Sequence, residues 1–150
     1  MHSDKLKGIA VVATDEGSRL GRVEESLFDP QDLHLAAFRI KGDNGTFIVP
    51  LEQVQSVGAD AVMVASSAAT QVAAAESTLV GWEALQKRKV VDESGTLLGT
   101  VSNMDLDTTT GKVLGLTVHK GGMLGLGGET TEIEATRIKS IGAELITLQA

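Results

Sequence analysis

GSRLGRV at residues 17–23 returns as GTLLGTV at residues 95–101, 78 positions later. With Gly21 laid over Gly99, the chain aligns with itself without a gap from residues 12–42 onto 90–120. Val12, Gly17, Leu20, Gly21, Val23 and Asp29 meet identical residues, and Leu35, Phe38 and Ile40 meet Val113, Leu116 and Val118. After a six-residue insertion in the second copy, QVQSVGADAVMV (53–64) falls on RIKSIGAELITL (137–148). Shared turn glycines and shared apolar spacing are what a duplicated fold retains.

Each copy reads as a series of short strands. Asp15-Glu16-Gly17 and Asp92-Glu93-Ser94-Gly95 interrupt apolar runs, and acidic residues followed by glycine signal a hairpin because glycine accepts positive φ. Gly21 and Gly99 stand inside the following strand, where a glycine marks a bulge or a close backbone approach. FDPQD (28–32) and LDTTTG (106–111) are composed as turns. The stretch 33–38 alternates and AAFRIK (36–41) matches LGLTVH (114–119) as a strand; TFIVP (46–50) corresponds to TEIEA (131–135) as another. LEQVQSVG (51–58) suggests one turn of helix ending at Ser56-Val57-Gly58 before the last strand. The expected fold is all-β: two small antiparallel β-barrels in tandem. They cover residues 1–65 and 81–150, joined by an Ala/Ser-rich linker over 66–80, with Trp82 anchoring the linker to the second barrel.

These residues resemble the PRC-barrel domains. Their pattern of acidic-glycine turn, Leu-Gly-x-Val, Asp-rich turn, paired apolar strands and closing Ser-Ile/Val-Gly appears as VVDESGTLLGTVSNMDLDTTTGKVLGLTV (90–118) with RIKSIGAELITL. It recurs more loosely as VVATDEGSRLGRV (11–23) with QVQSVGADAVMV. GGMLGLGG (121–128) is similar to a hairpin loop of many members. The copies part at the family's strand proline: the first keeps Pro50, the second has Glu134. The resemblance implies adaptor work. Such barrels occur in the cytoplasm-facing subunit of photosynthetic reaction centres and in a maturation factor for the small ribosomal subunit. Fold alone does not determine function.

Composition narrows the classes further. The chain has 150 residues, no cysteine and a net charge of −7, so thiolate metal sites, disulfides and cysteine nucleophiles are excluded. Residues 1–65 carry 6 Lys/Arg against 10 Asp/Glu, and residues 66–150 carry 7 against 10. Direct nucleic-acid binding needs concentrated positive charge, and Lys87-Arg88-Lys89, expected on a solvated strand end, is too small a patch. No apolar run approaches the about 18 residues of a membrane span, and MHSDKLKG is too polar for a signal peptide, so a cytoplasmic location is expected. Units of this size sit near the lower limit for an unaided core, which packing together or forming a homodimer relieves.

Catalytic constellations are missing. In GGMLGLGG the last glycine is followed by Glu129-Thr130 where a phosphate loop needs Lys-Ser/Thr, so no nucleotide cofactor is expected. Asp105 and Asp107 lack the remaining oxygens of a calcium loop. His34 and His119 match Lys112 and Lys41 of the sister copies, positions of solvated cations, so no metal or catalytic role is expected of them. The expected function is a non-enzymatic adaptor with a protein partner, or an assembly factor gripping a basic ribosomal protein through an acidic surface. Met123, Leu124 and Leu126, apolar side chains on a glycine frame in the insertion, are the expected contact.

Overall fold

Both copies of the acidic-glycine motif turn a strand back on its neighbour. The computed structural model, which describes residues 1–43, 45–66, 78–121, 128–142 and 144–149, runs β1 (Ala10–Ala13) into β2 (Ser18–Asp29). Its second copy runs β8 (Lys89–Asp92) into β9 (Leu97–Leu106). Gly17 and Gly95 sit at the turns with φ of +64° and +86°, in open space, so conformational freedom is what each supplies.

The remaining strands repeat in the same order. β3 (His34–Gly42), β4 (Gly45–Pro50), β5 (Val54–Val57) and β6 (Ala61–Val64) belong to the first half; β7 (Val80–Gly81) and α1 (Trp82–Gln86) follow. The second half continues with β10 (Val113–Gly121), β11 (Gly128–Glu134), β12 (Ile138–Ile141) and β13 (Leu145–Leu148). The sheet orders are β4-β3-β2-β1-β6-β5 and β11-β10-β9-β8-β13-β12, so the duplication read from sequence is a duplication of topology. Every junction is antiparallel except one per half: β1 lies parallel to β6, and β13 parallel to β8, joining the ends of each unit.

Three local expectations are corrected. β10 pairs β11 with Leu116 opposite Ile133, whereas β3 pairs β4 with Phe38 opposite Val49. Val49 therefore corresponds to Ile133 and Ile48 to Glu132, one residue away from the alignment of TFIVP on TEIEA. That slip matters because one residue moves a strand's whole pattern to its other face. Both Val49 and Ile133 are buried, as the corrected register requires. Next, the helical turn expected over 51–58 is a three-residue 3-10 turn, Leu51–Gln53, followed at once by β5. Finally, Leu33 is not part of the alternating strand; its φ is +50°, and β3 starts at His34.

One hydrophobic cluster runs through both halves, from Leu6, Val11, Phe28 and Phe38 to Val90, Met104, Leu116 and Leu148. Neither half completes this core from its own residues. Small units that share a core escape the size limit that each would meet alone.

Candidate functional site

The halves meet about an internal two-fold axis. His34 lies opposite Lys112 in an isolated antiparallel bridge, and the repeat makes these two residues equivalent. On either side stand Leu33, at φ +50°, and Gly111, at φ +80°. The Leu35 amide donates to the Gly111 carbonyl at 2.7 Å, and a Cβ on Gly111 would lie 2.4 Å from the Leu35 carbonyl oxygen. Glycine is required where the halves touch this closely.

Around this axis the segment preceding each barrel crosses to the other barrel. β7, just ahead of the second barrel, pairs with β2 of the first, Leu27 opposite Gly81 and Phe28 opposite Val80. Reciprocally, the N-terminal residues reach β9: the Leu106 amide donates to the Met1 carbonyl at 2.8 Å, and His2 bridges Asp105. Equivalent strand positions receive the two arms. Glu25 accepts the Glu83 amide at 2.8 Å, and Asn103 accepts the Ser3 hydroxyl at 2.9 Å. Trp82 takes part in this exchange. Its ring lies 6.5 Å from that of Phe28, so the tryptophan that opens the second half also anchors the arm to the first barrel, a contact the sequence did not reveal.

The strand glycines hold the two hairpins in close contact with the next strand. A Cβ at Gly21 would lie 2.4 Å from the Lys41 carbonyl oxygen, and one at Gly99 would lie 2.3 Å from the His119 carbonyl oxygen. Lys41 and His119 are themselves equivalent, and the register shifts beside both glycines. Bulge and close approach thus coincide.

Met123, Leu124 and Leu126 lie outside the described residues; the strands on either side of them pair out to Gly121 opposite Gly128. Asp107 accepts the amides of Thr109 and, more distantly, Thr110, which is turn capping. Among the basic cluster Lys87 and Lys89 are exposed, but Arg88 is half-buried; its Nη1 has no hydrogen-bond partner among the described residues, and burial lowers its pKa from the usual arginine value. The expected solvated strand end therefore holds for the two lysines alone.

One grouping was missed from sequence. Asp29, Asp32 and His34 bring potential ligand atoms within 4.8 Å of one another. Their bonds are local: Asp29 accepts the Gln31 amide, and Asp32 pairs with His34 Nδ1. These contacts brace the first barrel's turn at the axis. Asp29 and Asp32 stand only three residues apart, a spacing that gives no ligand signal in a turn.

Asp92 braces the hairpin between β8 and β9. It accepts the Ser94 hydroxyl at 2.6 Å and the amides of Ser94 and Thr96 at 3.0 Å, and those bonds, the hydroxyl's first, hold its carboxyl below the usual aspartate range. A depressed folded-state pKa stabilises the fold above the unfolded value and is lost as pH falls through the folded value. Acidification below the ordinary aspartate range is expected to loosen this hairpin before the first copy's, which has Thr14 at the equivalent position. Amide signals of residues 93–96 followed by NMR during an acid titration check this; equal loosening of both hairpins contradicts it.

The outer faces of the two barrels differ most. On the first, Leu27, Ala37 and Ile48 form a small apolar cluster with Leu79 of the crossing arm packed over it. The equivalent residues on the second are Asp105, Gly115 and Glu132, lining an open groove of about 350 Å3 with His2, Leu114 and Glu134. Arg39 pairs with Glu25 at 2.7 Å beside the first face, whereas the second has Thr117 and Asn103 there.

The duplicated hairpin, the closing strand pair and the crossing arms agree with one further finding. The PRC-barrel domain model matches residues 1–71 and again residues 78–150. The chain belongs to the PRC-barrel family. No curated protein matched it. PRC-barrel domains are modules often involved in protein interactions. Among the described residues no helix is long and apolar enough to cross a membrane.

Proposed function

We propose that this tandem PRC-barrel protein is a non-enzymatic adaptor or scaffold that works in the cytoplasm and holds a partner protein. The observation that carries the reading is the fusion of two PRC-barrel domains into one body with a shared core and crossed arms, bearing two outer faces of opposite character. Such a body presents fixed, non-equivalent surfaces at a set separation. Met123, Leu124 and Leu126 are the proposed apolar contact, since methionine and leucine on a glycine frame suit adaptable packing.

Capture from source-cell lysate tests it, comparing the intact chain with a Met123→Ser, Leu124→Ser, Leu126→Ser variant matched for folding. A protein retained by the intact chain and reduced at least tenfold with the variant is the expected result. Equal capture removes the loop from the contact, and no specific capture overturns the adaptor reading.

The second reading is an assembly factor that binds a basic ribosomal protein through an acidic surface. The carboxylates of Asp105, Glu132 and Glu134 around one groove favour it. Binding that weakens steeply with added salt distinguishes it from salt-resistant apolar contact.

A further inference from the structure

Where the halves meet, two pairs of equivalent residues differ in size. Leu33 and Gly111 hold the same place in the repeat, as do Leu51 and Ala135, each the first residue of a 3-10 turn. The strand pairing agrees, since Pro50 stands opposite Ala37 and Glu134 opposite the equivalent Gly115. Each side of the junction takes one residue from each pair. Leu33 of the first half and Ala135 of the second line one cleft of about 120 Å3 with Val113, Ile138 and Ile141. On the other side Gly111 of the second half lies under Leu51 of the first, whose Cδ2 is 2.7 Å from where a Cβ on Gly111 would stand. Both sides therefore set a leucine of the first half against a small residue of the second.

Leu33 holds its place against a backbone cost. Its φ of +50° lies in the left-handed region, where its counterpart is a glycine at +80° and where a side chain adds strain. Yet Leu33 is only 3% exposed, so burial of its apolar side chain offsets that strain. On the second half the reverse holds. A Cβ on Gly111 would lie 2.4 Å from the Leu35 carbonyl oxygen, and a larger side chain would meet Leu51 as well. Carrying these contacts over to like halves gives opposite misfits. Two first halves would set Leu33 against Leu51 and overfill both sides. Two second halves would set Gly111 against Ala135 and leave both sides hollow.

We infer that Leu33, Leu51, Gly111 and Ala135 form a two-sided size key, which makes the junction face of the first half fit a second half and reject another first half. Specificity is a difference between pairings, and misfit of the wrong pair supplies it as well as fit of the right one. The partner this face accepts is a second-type half, from the same chain or, by reciprocal exchange, from another copy. In both cases every junction joins one half of each type, and the unlike outer faces stay together in one body.

Thermal unfolding of full-length variants tests the key. Leu33→Gly relieves the left-handed strain but removes the filling, and is expected to lower Tm by about 4 °C or more. Adding Ala135→Leu copies the arrangement of Gly111 with Leu51 and is expected to recover about half of that loss or more. In the parent, and in a Leu51→Ala background whose gap lies on the other side, Ala135→Leu is expected to give no gain. No recovery, or the same gain in all three backgrounds, overturns the inference. Leu33→Ala replaces Leu33→Gly in the same comparison if the latter does not fold. Rejection of like halves is read separately. With Leu33→Gly and Ala135→Leu together, both halves present a glycine and a leucine, so every pairing fits. Refolded at high protein concentration, that variant is expected to give a larger share of multi-chain species than the parent, measured by size-exclusion chromatography with light scattering. An equal or smaller share overturns the inference.

Discussion

Gly99→Val is expected to destabilise the protein by about 3 kcal/mol or more, the range reached when backbone strain and steric overlap fall on one site. Gly99 has φ +134°, a region that side-chain-bearing residues scarcely enter, and its Cβ position lies 2.3 Å from the His119 carbonyl oxygen. Valine adds a branched group at that point. Neither strain can be relieved by turning a side chain, since the atom met is backbone in a paired strand. For a chain of this length about 3 kcal/mol lowers Tm by roughly 6–12 °C. Gly21→Val provides the comparison. It meets the Lys41 carbonyl oxygen at 2.4 Å but lacks the positive φ, so its loss is expected to be smaller. Thermal unfolding followed by circular dichroism reads both. A melting curve unchanged by Gly99→Val contradicts the account, as does a larger loss at Gly21.

Trp82→Ala carries the second large effect, a loss of about 3–5 kcal/mol, as for other buried large aromatics. Trp82 is 6% exposed and its ring meets Phe28, which is fully buried in the other half. Removing the indole leaves a cavity at the junction of the two barrels, and the arm that carries β7 loses its apolar anchor. A double-mutant cycle with Phe28→Ala locates the effect. The pair is expected to couple by about 0.5–1.5 kcal/mol, the interaction energy of aromatic pairs beyond burial. Denaturant unfolding of the four proteins measures it. Strict additivity of the two losses would mean that the tryptophan is held by the second barrel alone.

How much of this was legible differs from residue to residue. The hairpins were readable because Asp-Glu-Gly and Asp-Glu-Ser-Gly leave a local chemical trace, and Gly17, Gly21, Gly95 and Gly99 stand where the structure places turns and bulges. The all-β tandem fold followed from repetition of those traces. The register of β11 was not readable, because TEIE offers one apolar residue and no partner to align it with. Only its pairing with Leu116 places Ile133 inward. Leu33 was hidden by its own character: a leucine beside an alternating run looks like strand, and its left-handed backbone follows from the turn at the axis. The crossing of the arms was invisible for a related reason. Trp82 announces burial but not the partner, and Phe28, 54 positions away, is found only through topology. The groove was obscured in the same way, since Asp105, Gly115 and Glu132 become one surface only after the strands are paired. Met123, Leu124 and Leu126 could be singled out by composition alone, and their place lies outside the described residues.

The encounter of His34 with Lys112 marks what covalent duplication permits. In a dimer of two identical chains, a residue on the axis meets its own copy. A lysine there faces a lysine, and any change made to improve one side is made on the other as well. Joining the copies in one chain lifts that restriction. Each side of the axis can then mutate singly: a histidine tied to Asp32 can face a lysine, and a leucine-covered face can coexist with a carboxylate-lined one. A chain built this way keeps the mutual support of a symmetric pair while its two halves acquire separate binding tastes.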